Sequence, residues 1–233
     1  MGLSLSRRRA VRVLVSWSTG KDSAWCLQTL CRVADVEVVG LLATVNEAHD
    51  RVAMHAVRHE LLAAQARAVG LPLMVVKLPS PCSNATYDAA MQQAMTQARA
   101  EGVEAVAFGD LFLAEVRRYR EERLARVGMR ALFPLWGRPT RALAEEMIAA
   151  GLRARLTCVD PRAIPASFAG REFDLRLLRE LPAHADPCGE NGEFHSFAWD
   201  GPMLLRPIGI QTGEVVLRDG FVFVDLLPTE AAA

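Results

Sequence analysis

Two short stretches concentrate the residues able to do chemistry. The first is Ser16-Trp17-Ser18-Thr19-Gly20-Lys21-Asp22-Ser23, with four hydroxyls, a glycine, an ammonium and a carboxylate in eight residues. Lys21 is one of only two lysines in the chain, the other being Lys77, so its placement here is informative. Hydroxyls and glycine let anion oxygens approach the backbone closely, and N–H groups at a helix start are unpaired and partly positive. The loop therefore suits phosphate, with Lys21 adding a full charge aimed at the same oxygens. Each charge-assisted bond would contribute about 1.5–3 kcal/mol. The alternative is a polar helix cap. A Walker A loop is excluded, because Asp22 follows the lysine and Leu14-Val15 stand where its first glycine belongs; G-x-G-x-x-G is absent.

The second stretch is Asp186-Pro187-Cys188-Gly189-Glu190-Asn191-Gly192-Glu193-Phe194-His195-Ser196. Glu190, Asn191, Glu193 and His195 fall within six residues, and glycines permit tight bends between them. Glu193 and His195 are two apart, so both share a face if a strand has already begun. Such a group could bind a cation, accept a proton from an amine nucleophile or help hold a metal. It could also be a solvated turn. Cys188 reads as a loop residue, since no base is assignable beside it.

These stretches need elements to hold them. Val11–Val15 is short, apolar and β-branched, as in a strand buried on both faces of a parallel sheet. A helix is expected from Asp22 to Arg32, a strand from Val36 to Ala43, and a helix from an Asp50 cap to Val69, ended by Gly70. Strand Leu73–Lys77, helix Ala85–Ala100, strand Val103–Phe108, helix Ala114–Val127 and strand Ala131–Phe133 follow. This alternation predicts an α/β fold, a doubly wound five-stranded parallel sheet with helices on both faces. Ligands bind such sheets beyond the carboxyl ends of the strands, where the loop at 16–23 and Gly109-Asp110 should meet. Beyond Trp136 the pattern changes, and a smaller α+β domain is expected. It closes on a hairpin whose strands flank Asp219-Gly220, a type I′ turn signal. The expected division is 1–136 and 137–233.

Composition narrows the class. The 233 residues, 51% hydrophobic, suffice for a substantial core. Basic and acidic residues are 27 each, so there is no basic surplus for a nucleic-acid backbone, and nucleic acid is not an expected partner. No apolar run approaches the roughly 20 residues of a membrane span. Five cysteines, an odd number with no C-x-x-C pair, point to a reducing, cytoplasmic setting. His55 and His59 are four apart after the second strand; without a third ligand they read as an exposed or hydrogen-bonded pair. Tyr119, Arg120 and Glu122 read as a solvated helix face.

The loop at 16–23 resembles the pyrophosphate loop S-G-G-x-D-S of the ATP pyrophosphatase (PP-loop) superfamily, with Ser18, Gly20, Lys21, Asp22 and Ser23 matching and Thr19 in place of the first glycine. Glu101–Asp110, Leu132-Phe133-Pro134-Leu135-Trp136-Gly137 and Cys188–His195 together resemble the diphthine–ammonia ligase family and its bacterial relatives. That resemblance implies that ATP adenylates a substrate carboxylate, small or protein-borne, with release of pyrophosphate. Ammonia then displaces AMP to leave an amide. It implies ATP contacts at Ser16, Ser18, Thr19, Gly20, Lys21, Asp22, Ser23 and Thr44. Catalytic roles fall to Lys21, Asp22, Glu190, Glu193 and His195, and substrate contacts to His55, Gly109, Asp110 and Asn191. Mg²⁺ is expected as well, with Asp22 as its ligand. A homodimer is a further expectation. The competing functions are another PP-loop reaction such as tRNA thiolation, against which the missing C-x-x-C pair and the neutral charge speak, and a non-catalytic nucleotide-binding regulator.

Overall fold

The computed structural model describes residues 9–48, 51–52 and 57–229. In chain order the elements are β1 (Val11–Ser16), α1 (Lys21–Leu30), β2 (Val36–Asn46), β3 (Arg51–Val52), α2 (His59–Val69), β4 (Leu73–Leu78), α3 (Asn84–Ala100), β5 (Ala105–Ala107), α4 (Ala114–Ala125), β6 (Arg130–Leu132), α5 (Thr140–Ala149), β7 (Arg153–Val159), α6 (Leu175–Glu180), β8 (Phe194–Asp200), β9 (Ile210–Arg218) and β10 (Phe221–Pro228).

Five parallel strands lie in the order β4-β2-β1-β5-β6, as the alternating pattern predicts. The strand order reverses at β1: the chain moves outward through β2 and β4, then returns to β5 on the other side. The carboxyl end of β1 is thus the switch point where a crevice opens. Alternate β1 side chains feed two cores. Val13 and Val15 pack with α1 and α2 residues such as Trp25, Leu27 and Leu61, while Leu14 packs with Met95 of α3 and Leu124 of α4. Burial on both faces explains the unbroken apolar run.

The expected helix from Asp50 is corrected by the structure. Arg51 and Val52 pair antiparallel with β2, and α2 starts only at His59. The Arg51 and Arg58 guanidiniums both grip the Asp225 carboxylate of β10, at 2.8 and 2.6 Å, which anchors both residues to the second sheet. Helical periodicity carries no sign of an ion pair to a residue so far along the chain. Asp50 and His55 lie outside the described residues.

The second sheet is antiparallel, in the order β8-β7-β10-β9. Its hairpin turns at Asp219 and Gly220 with φ of 52° and 82°, the positive pair a type I′ turn requires. The core around β1 runs on without interruption to Phe194, Phe197 and Ala198 of β8 and Leu226 of β10. Among the described residues no helix is long and apolar enough to cross a membrane.

Candidate active site

Loop 17–20 leaves β1 and enters α1 at Gly20, which as the N-cap residue supplies no side-chain cap of its own. Thr19 adopts φ of 72°, the left-handed backbone that a β-branched residue tolerates poorly. The backbone has kept the shape a glycine would favour, and its neighbours hold it there. The Thr19 carbonyl accepts from Gln65 Nε2 (2.9 Å) and from the Ala198 N–H (2.9 Å). Gln65 is fully buried; its Nε2 also donates to the Ala198 carbonyl (2.6 Å), and its Oε1 accepts from Trp17 Nε1 (2.8 Å). One amide from α2 thereby ties the loop to β8. Thr19 Oγ1 is buried without a partner, the residual cost of a threonine at this position.

Lys21 does not point out of the loop at an open phosphate position. It is 1% exposed. Its Nζ donates to both Asp22 oxygens (3.0 and 2.8 Å) and to the Cys188 carbonyl, with the rings of Phe173 and Phe194 5.4 and 5.3 Å away. Burial works against the ammonium, but the adjacent Asp22 carboxylate, with Cys188 and Asp186 beyond it, keeps its pKa above the ordinary value. The Lys21 N–H donates to Ser196 Oγ at 3.2 Å. Ser18 Oγ bonds Ser23 Oγ (3.2 Å), and Ser23 Oγ donates to the Gly20 carbonyl (2.9 Å). Both Asp22 oxygens accept from Lys21, so the Mg²⁺ expected there would have to share that carboxylate with the ammonium. Among the described residues no group of three candidate ligands is placed to hold a metal ion.

The C-terminal loop folds over this point. Asp186 Oδ2 accepts from the N–H groups of Cys188 and Glu190, both at 3.0 Å. Glu193 Oε1 accepts from the Asp186 N–H (2.8 Å) and Asn191 Nδ2 (3.1 Å), and its Oε2 from the Asn191 N–H (3.0 Å). Glu193, 5% exposed, and Asn191 thus shape their own loop. Glu190 reaches outward instead: its Oε1 accepts from the Leu111 N–H at 2.7 Å, just beyond β5. Burial, reinforced by Asp22 and Asp110, raises Glu190 to about 7 despite that hydrogen bond. His195 stands on β8 and is pushed down to about 4 by burial, with Lys21 adding to the effect, so it is neutral at pH 7. Burial pushes the Cys188 thiol up to about 12, which suits the loop role expected of it.

The loop after β5 completes the crevice. A Cβ at Gly109 would lie 2.8 Å from the Asp22 carbonyl oxygen and 3.0 Å from the Ser23 nitrogen, so only glycine allows this approach to α1. Asp110 pairs with Arg120 (2.9 Å), whose guanidinium stacks on Phe108 at 4.2 Å. Arg120 is therefore part of the crevice wall rather than the solvated face its helix position suggested. Ser16 and Thr44, at the ends of β1 and β2, open into a groove between α3 and α4 that encloses about 800 Å³, solvent space included. Tyr87, Tyr119, Arg120 and Arg123 line it further out.

The structure thus brings Ser16, Ser18–Ser23, Thr44, Gly109, Asp110 and Glu190 to one end of the parallel sheet, with His195 and Ser196 beneath the loop. Sequence reasoning missed Gln65, Phe173 and the role of Asp186. Gln65 carried a signal: it falls four residues after Leu61 on the buried face of α2, where an amide needs partners.

Comparison with known proteins identifies the family. The chain matches the family model for the diphthamide synthase N-terminal domain over residues 11–131 and that for the diphthamide synthase C-terminal domain over 139–226. A diphthine–ammonia ligase of Homo sapiens is 25% identical, covering 91% of this chain and 88% of that protein. One of Danio rerio is 29% identical, with 91% of each covered. One of Schizosaccharomyces pombe is 26% identical over 88% of this chain but only 37% of its own longer length. With both models matched in order and nearly end to end, the chain belongs to the diphthamide synthase family.

Proposed function

We propose that the protein is an ATP-dependent ligase that adenylates a substrate carboxylate, releasing pyrophosphate, and then passes ammonia or an amine to it. In this reading residues 1–136 bind ATP, residues 137–233 serve the substrate, and the carboxylate is small or protein-borne, as diphthine is for the named relatives. Five free cysteines suit a cytoplasmic enzyme. The observation that carries the proposal is the reach of Glu190 across the switch-point crevice to Leu111, beside the start of α1.

The residues fit ATP. The helix start at Gly20 offers an anion site, Ser16 and Thr44 line the adjoining groove, and Arg126 brings positive charge to it, while Arg120 and Arg123 there are paired with Asp110 and Asp88. ATP, when bound, supplies the leaving group that a carboxylate lacks. Lys21 holds the C-terminal loop over the crevice, and Glu193 and Asn191 keep that loop in shape. Glu190, titrating near 7, is suited to take the proton that the incoming nitrogen must lose.

The test is product analysis with ATP, ammonium and a panel of carboxylates that includes a diphthine-bearing peptide. AMP and pyrophosphate should appear together, and Glu190→Gln should slow the ammonia-dependent step while ATP still binds. ATP binding with neither product released across the panel would instead make the protein a nucleotide-binding regulator.

A further inference from the structure

The outer edge of the second sheet carries an inference that does not depend on the ligase reading. β9 is the terminal strand in the order β8-β7-β10-β9, and among the described residues no strand pairs with its outer side. It is nine residues long, has no proline, and leaves Val215, Val216 and Leu217 exposed by 60, 37 and 73%. A row of unpaired N–H and C=O groups on such an edge is a template for another strand.

The hairpin sets which groups face outward. Around a two-residue turn the flanking residues, Arg218 and Phe221, exchange backbone hydrogen bonds. By alternation Val216 bonds toward Phe223, and Val215 and Leu217 turn their backbone groups away from β10. We propose that β9 pairs antiparallel with β9 of a second copy of this chain, about a two-fold axis through Val216. In that register Val215 lies opposite Leu217 of the partner subunit, and both present outward backbone groups, so the ladder closes. Glu214 lies opposite the partner subunit's Arg218, and the symmetry makes this match twice. Arg218 is already steadied on the Phe223 ring at 4.9 Å. A slip of two residues keeps the hydrogen-bond phase but sets Glu214 against Val216 or Gly220, so charge selects the one register.

Sedimentation velocity of the full chain, from about 1 to 500 µM, is the test. The mass should move toward twice the monomer as concentration rises. Glu214→Arg or Arg218→Glu alone places like charges opposite each other and should raise the dimer Kd about tenfold. The double exchange Glu214→Arg/Arg218→Glu should return it to within about threefold of wild type. Both side chains are exposed, and circular dichroism verifies that each variant is folded. A monomer at every concentration overturns the proposal and leaves the edge to another partner or none. A dimer indifferent to the single reversals overturns it too, by placing the interface elsewhere.

Discussion

Removing the Lys21 charge while keeping its bulk gives the sharpest test of how the loop is held. Lys21→Met leaves a side chain of similar length between Phe173 and Phe194, so the packing and an S–aromatic contact replace the two cation–π contacts. What is lost is the ammonium. The Asp22 carboxylate then has no cation, with the carboxylates of Asp110, Asp186 and Glu190 acting on it or sharing its neighbourhood, and the Cys188 carbonyl loses its donor. Breaking a buried pair costs about 3–5 kcal/mol. The Asp22 side chain is 29% exposed and can draw on water, which favours the lower end, about 3 kcal/mol. For a chain of this size that lowers Tm by roughly 6–12 °C. Asp22→Asn, which leaves the ammonium buried against neutral oxygens, should cost a similar amount. The double variant Lys21→Met/Asp22→Asn has no stranded charge and should lose about 2–3 kcal/mol less than the singles together. Urea unfolding followed by far-ultraviolet circular dichroism measures all four corners of the cycle. Additive losses, or an unchanged midpoint in Lys21→Met, would refute the argument that this pair ties the loop. Pyrophosphate release by the double variant then separates the tie from chemistry, since a stable but inactive protein needs one of the two charges for catalysis.

Two further outcomes follow from burial and backbone shape. Glu190, raised to about 7 from 4.5, keeps a proton in the native state that the unfolded chain has lost, so stability falls as pH rises through that window. His195, lowered to about 4 from 6.5, does the reverse, and its contribution rises with pH between those values. The two slopes oppose each other, each worth at most about 3 kcal/mol. Glu190→Gln should therefore unmask stability that climbs from pH 4 to 6.5, and His195→Gln stability that declines from 4.5 to 7, read as urea midpoints; profiles unchanged in both variants would contradict the burial argument. Thr19→Gly should raise stability by about 1 kcal/mol: it relieves the strain at φ of 72° and removes an orphaned hydroxyl, against the extra freedom of an unfolded glycine. A lower Tm in that variant would mean that the threonine side chain is needed where it stands.

Much of the fold was legible because its signals are local. The β-branched run at Val11–Val15 and Asp219-Gly220 between two apolar strands each express a constraint satisfied within a few residues, by burial on two faces or by positive φ. The same reasoning placed the crevice at the end of β1, because strand alternation fixes where helices cross and hence where the order reverses.

Side-chain destinations were another matter. Lys21 and Glu193 were recognisable as residues of the site by type and spacing, yet where each points is a property of the packed molecule. Lys21 turns to Cys188, 167 residues on, because α1 abuts a loop whose carbonyls and aromatic rings receive a buried cation there. Glu193 turns inward because two N–H groups and an amide of its own loop would otherwise go unpaired. Gln65, the β3 pairing of Arg51 and Val52 and the reach of Glu190 to Leu111 depend likewise on partners elsewhere in the fold. Sequence by itself determined the order of the five parallel strands and the family, since periodicity and turn preference act between neighbours. Tertiary structure alone decided which charges face the crevice and which serve as ties, since burying a polar group requires a partner that only the assembled sheets and helices bring within reach.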